Sequence, residues 1–282
     1  MGRCRGARTG GARVTRQRRP AAGRSDGGRP ERPPLAPQVR GYWLSGRQAV
    51  AAALQRGHVH RMVVADGVRG WEEPLRVAAQ AGVELRRAPR ASVDALAGRE
   101  AQGVAAWVSP VPAVGLEDLL SRAGERALVV VCDHLQDARN LGAIARTAEA
   151  VGALGLVVPD RRAAALSGVA ERASAGALRL LPCVVTHNLT WALDRLRRAG
   201  FWVYGTAPAG EMVDSRRADF AARSALVVGA EDHGLSPLVR RHCDRLLGVP
   251  MAGATESLNV AVAAGILMYE WGRGTLPGAS AH

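Results

Sequence analysis

The hydropathy pattern of this chain predicts an α/β fold built on a parallel sheet, with a smaller α/β unit in front of it. Three observations lead there. From residue 127 onward, short apolar runs alternate with helix-length segments, the rhythm of a parallel sheet with crossover helices. Several runs, such as Ala-Leu-Val-Val-Val-Cys at 127–132, are apolar at nearly every position, as strands covered on both faces must be. The composition also shifts near residue 40 and at the Pro-bearing stretch 109–112, bracketing a unit of about 65 residues. The expected organisation is therefore a tail at 1–39, a first domain at 40–109, a linker at 110–123, a second domain at 124–275 and a flexible tail at 276–282.

Residues 1–39 hold ten arginines against Asp26 and Glu31, with many Gly and Pro and almost no large apolar side chains. Such a segment cannot bury enough surface to offset its ordering entropy, so it is expected to be disordered. A basic tether for RNA, acting by counterion release, and a solvated extension without a task both fit it. It lacks the apolar helical face of a mitochondrial presequence. Order is expected to begin near Tyr42. A short helix at 46–54 precedes a strand at 61–65, and a helix at 71–81 is stopped by Gly82. A strand at 83–86, a short helix at 92–96 begun by Ser92 and a strand at 104–108 complete the first unit. A weakly amphipathic segment then runs to Gly124. Beyond it, strands are expected at 127–132, 154–158, 183–186, 201–206, 225–229 and 245–249. Helices are expected at 141–151, 163–175, 189–199, 237–242 and 258–271. There is no internal repeat.

All 38 basic residues are arginine. The absence of lysine excludes the amine of a phosphate-binding P-loop, a pyridoxal Schiff base and the kinase ion pair. Of the net charge of +13, +8 lies within residues 1–39, so a polyanion is the natural partner. Cys4, Cys132, Cys183 and Cys243 are far apart and form no CxxC pair, which argues against a zinc site or a disulfide framework and fits a reducing cytoplasm. The longest apolar run, 260–268, is far short of the roughly 18 residues that span a bilayer.

In open α/β sheets, ligands sit beyond the carboxyl ends of strands. Three loops at such positions are polar and glycine-rich. The first runs from Asp133 to Gly142 and enters a helix, with Asn140 at the expected cap position and Arg146 on the second turn. The bland readings are a simple helix cap and a surface cation. The second follows an apolar strand as Gly229-Ala-Glu231-Asp-His233-Gly234-Leu-Ser-Pro. Glycine at a strand end lets a ligand approach the backbone, Glu231 can accept bonds from a ligand or orient an arginine, and His233 is a candidate base or an incidental loop residue. The third runs from Leu246 to Val260, with Val249, Pro250 and Met251 in a turn and Ser257 and Asn259 at the mouth of a helix of small apolar residues.

Together and in this order, the three segments resemble the motifs of the SpoU/TrmH RNA 2′-O-ribose methyltransferases of the SPOUT superfamily. The first resembles the pattern Asn-x-Gly-x-x-x-Arg-x-Ala (Asn140 to Ala148), the second the apolar strand with Gly-x-Glu-x-x-Gly-Leu (226–235), and the third Val-Pro-Met…Ser-Leu-Asn-Val (249–260). Residues 41–108, with Gly46-Arg47-x-Ala49-Val50 and Gln102-Gly103-Val104, are similar to the small, ribosomal-protein-L30e-like RNA-binding domain of the rRNA-directed branch. The resemblance implies a parallel sheet closed by a deep trefoil knot, dimerisation through the knot, and S-adenosylmethionine bound through Thr206, Ala207, Gly229, Val249, Met251 and Leu258 without a metal. It places Asn140, Arg146, Glu231, Ser257 and Asn259 at the family's functional positions. Arg146 would position the 2′-oxygen, since deprotonating an arginine is very costly. Glu231 would orient Arg146 or relay the proton, and Asn140, Ser257 and Asn259 would fix the ribose and the loops. Ala138 stands where the first motif usually has Pro, and Asp232 where a smaller residue often follows the Glu.

The implied reaction is methylation of a ribose 2′-hydroxyl, most closely in the manner of the enzymes that modify a guanosine of 23S rRNA. A tRNA target, an adenosine-directed resistance enzyme and a catalytically silent RNA-binding assembly factor are the alternatives. A conventional Rossmann methyltransferase or NAD enzyme would show Gly-x-Gly-x-x-Gly after its first strand, and 133–142 does not.

Overall fold

A computed structural model describes residues 40–160, 166–207, 213–255, 257–273 and 276. The expected tail at 1–39 lies outside them, as does the expected tail at 276–282 except for Leu276, which packs against the core of the larger sheet.

The first unit contains β1 (Tyr42–Ser45), α1 (Arg47–Gln55), β2 (Val59–Ala65), α2 (Glu72–Gln80), β3 (Glu84–Ala88), α3 (Arg90–Ala97) and β4 (Val104–Val108). Its sheet has the order β1-β4-β2-β3, with β4 antiparallel to both neighbours and β2 parallel to β3. Alternation along β2 explains its two cores. Met62 and Val64 face Val50, Ala53 and Ala78 on one side, while Val63 and Ala65 face Val93 on the other. Gly82, at φ 67°, ends α2 in the left-handed conformation that glycine adopts freely. β1 was not expected, because four residues carry too short a pattern to register. Helix α3 begins at Arg90 behind Pro89, two residues before the expected Ser92 cap.

The larger sheet comprises β5 (Ala113–Val114), β6 (Ala127–Cys132), β7 (Gly155–Pro159), β8 (Cys183–Thr186), β9 (Trp202–Thr206), β10 (Val213–Asp214), β11 (Arg223–Val228) and β12 (Arg245–Gly248). Every pairing in it is parallel, and the order is β10-β12-β9-β11-β6-β7-β8-β5. Helices α4 (Leu116–Leu120), α5 (Ala138–Ala150), α6 (Gly168–Ala173), α7 (Ala177–Leu180), α8 (Leu189–Arg198), α9 (Pro237–Arg241) and α10 (Val260–Gly272) complete it. One face packs Leu128 and Val130 against Leu141, Ile144, Leu267 and Met268 of α5 and α10. The other packs Val129 and Val131 against Leu193 and Leu196 of α8. Burial on both faces is the reason these strands lack alternation.

Three expectations are revised here. The segment 110–123 is not a plain linker: β5 forms the sheet edge beside β8, and Leu116 and Leu119 of α4 are buried. The helix expected at 163–175 appears as α6, its first residues falling outside the described ones. Ala175 (φ 51°) and Gly176 (φ 91°) then turn the chain into a separate α7. Helix α5 starts three residues early, at Ala138. Cys132 and Cys183 are buried free thiols and Cys243 is a half-buried one, each in apolar surroundings. No helix among the described residues is long and apolar enough to cross a membrane.

Candidate active site

The loops after β6, β11 and β12 meet beyond the carboxyl ends of these strands. Helix α5 is capped by Asp137, whose carboxylate accepts from the Arg139 N–H (2.8 Å). Asn140 is therefore not the cap; it sits in the first turn with its side chain free for other work. Asn259 caps α10, its Oδ1 accepting from the N–H groups of Ala261 (2.9 Å) and Val262 (3.3 Å). Its Nδ2 donates to Oδ1 of Asn140 (3.1 Å), and Nδ2 of Asn140 donates to Oε1 of Glu231 (2.7 Å). Each amide has one consistent orientation. The carboxylate end can only accept and the helix end can only donate, so Asn259, Asn140 and Glu231 form a directed chain.

Glu231 also accepts from the backbone N–H of Gln136 (3.2 Å) and Asp137 (3.3 Å). Burial is the largest single influence on its carboxyl and acts upward. The bonds from Asn140 and the backbone together outweigh it and hold the group below the ordinary glutamate value of 4.5. The bonds of Glu231 go to Asn140 and to the 136–137 backbone, and none of them reaches Arg146. Arg146 is exposed on α5, about 240° around the helix axis from Asn140, and makes no hydrogen bond or ion pair among the described residues. Ser257 is exposed and likewise unpaired there, so it is not the helix cap.

A cleft of about 470 Å³ lies on one side of this chain. Thr206, Ala207, Gly229, Val249, Met251 and Leu258 line it, with Glu231, His233 and Ser257 at its polar part. Thr206 Oγ1 accepts from the Gly229 N–H (3.2 Å), and Ala207 N–H bonds the Leu247 carbonyl (2.9 Å), which ties β9, β11 and β12 together at the cleft floor. Gly229 cannot be replaced without movement, since a Cβ there would lie 2.3 Å from the Gly234 carbonyl carbon. His233 is exposed, with Nε2 3.3 Å from the Asp232 carboxylate. On the other side, a groove of about 690 Å³ runs between α5 and α10, lined by Asn140, Thr147, Asn259, Val262 and Tyr269 among others. The directed chain thus spans the ground between the two.

The sequence of the larger unit decides the family. Residues 127–269 match the SpoU rRNA Methylase family, and residues 43–114 match the family described as RNA 2′-O ribose methyltransferase substrate binding. A Bacillus subtilis protein named as a TrmH family tRNA/rRNA methyltransferase is 37% identical over 81% of this chain and 94% of its own. This chain belongs to the SpoU methylase family. A Synechocystis relative, described as an uncharacterized tRNA/rRNA methyltransferase, is 44% identical over 60% of this chain, a match that spans 44% of that protein. The crystal structure of the SpoU methyltransferase AviRb from Streptomyces viridochromogenes, in complex with AdoMet, superimposes with a TM-score of 0.70. It is 29% identical, over 83% of this chain and 90% of that one.

As a SpoU methylase, the protein is an RNA methyltransferase that uses S-adenosylmethionine. The cleft suits that molecule. Its volume is that of a small-molecule site, Val249, Met251 and Leu258 offer apolar cover for a base, and the bare backbone at Gly229 allows close approach. Glu231 and Asp232 supply negative charge for a cationic ligand. Among the described residues no group of His, Cys, Asp or Glu is arranged to hold a metal ion.

Some supporting residues escaped the sequence reading. Asp133, fully buried at the end of β6, bonds the Ser236 N–H (2.7 Å) through one oxygen and His134 Nδ1 through the other, fastening the first loop to the second. An acid directly after an apolar strand was its only signal. Gln136 Nε2 donates to the Asp232 carboxylate (3.2 Å), a contact with no signal in the sequence.

Proposed function

We propose that this enzyme methylates the 2′-hydroxyl of a ribose in RNA, with a guanosine of 23S rRNA as its target. The observation that carries the reading is the Asn259–Asn140–Glu231 chain lying between the cleft suited to S-adenosylmethionine and the α5–α10 groove. The match of residues 43–114 to a substrate-binding domain of RNA 2′-O ribose methyltransferases supports both the ribose and a structured RNA.

A ribose hydroxyl is a weak nucleophile, so the site has to hold it in line with the methyl carbon and accept its proton. S-adenosylmethionine, when bound, supplies the methyl on a sulfonium that leaves as a neutral thioether. Thr206, Ala207, Gly229, Val249, Met251 and Leu258 hold it. Ser257, exposed and free to bond, meets the ribose. Asn140 and Asn259 fix the loops that frame it, and Glu231, the carboxylate at the cleft, keeps Asn140 oriented and relays the hydroxyl proton to solvent. Arg146 stays charged and steadies the 2′-oxygen as negative charge grows there, a role for a preorganised cation. Its exposure leaves it free to reach RNA.

The active form is a dimer of two copies joined across the α5–α10 groove. Val262 and Tyr269, 51% and 58% exposed beside Gly265 and Ile266, give that groove an apolar wall that a second copy would cover. A deep trefoil knot is also proposed. β12 lies between β9 and β10, which follow one another in sequence, a strand order that fits such a knot. The working arrangement is an RNA-binding domain at 40–109 and a methyltransferase domain from β5 at Ala113 onward, acting in the cytoplasm.

The test offers labelled S-adenosylmethionine with unmodified 23S rRNA and, separately, bulk tRNA. Label in rRNA that Arg146→Ala abolishes supports the proposal. Label in tRNA alone overturns the substrate but keeps the enzyme. Label in neither, with cofactor binding demonstrated, favours a silent assembly factor.

A further inference from the structure

Away from both clefts, the fold buries an ion pair that neither the site nor the proposed reaction uses. Glu171 of α6 and Arg179 of α7 are paired twice, Nε to Oε2 at 2.9 Å and Nη2 to Oε1 at 2.8 Å, with both side chains fully buried. Two further bonds to this pair come from the first unit. The Tyr42 hydroxyl of β1 donates to Glu171, and Arg179 Nη2 donates to the Ser109 carbonyl just after β4 (2.8 Å). Tyr42 and Val108 are cross-strand neighbours, so both bonds leave one end of the small sheet. Ser109 is itself anchored to the start of β2, through its N–H to the His58 carbonyl (3.0 Å) and its hydroxyl to His60 Nε2 (2.6 Å).

The surrounding packing is close. A Cβ on Gly176, at the start of α7, would lie 2.6 Å from Cβ of Ala52 and 3.2 Å from Cα of Ala49, so α7 rests directly on α1. Gly168 of α6 lies against the Tyr42 ring. On its other side α6 meets α5, where a Cβ on Gly142 would come within 2.5 Å of the Ala170 carbonyl. Gly142 is two residues from Asn140. The Ser174 hydroxyl, donating to the Glu171 carbonyl (2.9 Å) and accepting from the Leu178 N–H (3.3 Å), braces α6 to α7. A continuous packed path therefore runs from the small sheet through α6 to the helix that carries Asn140 and Arg146.

We infer that Glu171 and Arg179, engaged by Tyr42 and Ser109, are positioning residues that hold the RNA-binding unit at one fixed station against α5 and so select which ribose reaches the methyl donor. A buried, doubly bonded ion pair suits this task. It contributes little net stability compared with apolar packing, but it tolerates only one geometry, and a partner that shifts leaves a charge buried and unpaired. The inference rests on the RNA methyltransferase activity of the family and not on which nucleotide is modified.

Two variants test it. Tyr42→Phe removes one bond across the contact and leaves the ion pair intact. Glu171→Arg with Arg179→Glu keeps a pair between α6 and α7 but sets a carboxylate against the Ser109 carbonyl. For each, small-angle scattering gives the radius of gyration, calorimetry the Kd for S-adenosylmethionine, and methyl transfer to structured RNA gives KM, kcat and the position of the modified ribose. The expected result is an unchanged cofactor Kd, a KM for RNA raised about threefold by Tyr42→Phe and at least tenfold by the exchange. The exchange also enlarges the radius and spreads methylation to neighbouring riboses. An unchanged radius in the exchanged protein would show that the pair does not hold the units together. An enlarged radius with unchanged KM and methylation position would show that their docking does not select the ribose. A uniform loss of kcat and melting temperature, with KM and position intact, would assign the pair a structural role only. Absence of transfer by the native protein would count against the activity, while the scattering result would still decide whether the pair docks the units.

Discussion

Replacing Asn140 with alanine cuts the directed chain at its middle. Glu231 loses the 2.7 Å bond that orients its carboxylate, and Asn259 loses the acceptor of its amide at 3.1 Å. A hydrogen bond to a charged group contributes about 1.5–3 kcal/mol and a neutral one about 1 kcal/mol. Asn259 and Glu231 are solvent-exposed and Asn140 half-buried, so a combined loss of roughly 2–3 kcal/mol is the reasonable figure. Expressed in the transition state, that lowers kcat by roughly 30- to 150-fold. The cofactor cleft keeps its lining, so the Kd for S-adenosylmethionine should stay within about threefold. Single-turnover methyl transfer with saturating cofactor, beside calorimetric cofactor binding, measures both. Asn140→Asp sharpens the test. It is nearly isosteric but sets a second carboxylate beside Glu231, so at neutral pH it should be at least as impaired as alanine and partly recover as pH falls and the two acids share a proton. An Asn140→Asp enzyme with native kcat at neutral pH would refute the role given to this chain.

Other outcomes follow from the same geometry. Gly229→Ala forces a Cβ against the Gly234 backbone, an overpacking cost of about 1–3 kcal/mol; calorimetry should show cofactor affinity at least about tenfold weaker with the protein still folded. The Glu231 carboxyl is held below its ordinary value, so its bonds stabilise the fold fully above the unfolded value near 4.5 and the stabilisation is lost as pH falls through the lower folded value. The melting-temperature difference between native protein and Glu231→Gln should therefore be constant from pH 8 to about pH 5 and shrink only below that; a difference that fades between pH 7 and 6 would contradict this. Val262→Glu with Tyr269→Glu places charges on the apolar wall of the α5–α10 groove and should yield monomers in analytical ultracentrifugation.

The larger sheet was legible because its strands are buried on both faces. The run 127–132 has no other reading once a polar loop and a helix follow it, and β6 has those bounds. The short edge strands were not legible: β5 and β10 are two residues each and owe their conformation to their neighbours β8 and β12. The residues lining the cleft were reached through motif resemblance and not through periodicity, since Thr206 ends β9 while Gly229 and Met251 follow β11 and β12, far apart in sequence. The hydrogen-bond partners within the site were partly misread. Asn140 looked like a cap because an asparagine preceded the apolar helical period, while Asp137 three residues earlier performs that task. The resemblance had Glu231 orient Arg146 or relay the proton, and the amide and two backbone groups that the fold supplies to it had no signal in the sequence. The Glu171–Arg179 pair left no trace at all. Its partners are separated by a break between two helices, and Tyr42 lies over a hundred residues away.

The position of the methyl group on the nucleotide is the most direct measurement. RNA labelled by the enzyme is digested to completion with alkali, which needs a free 2′-hydroxyl to cut the neighbouring phosphodiester. Methylation of the ribose 2′-oxygen predicts that the label survives in an alkali-resistant dinucleotide, from the native enzyme and not from Arg146→Ala. Label recovered in a mononucleotide would place the methyl on a base and contradict the proposed chemistry.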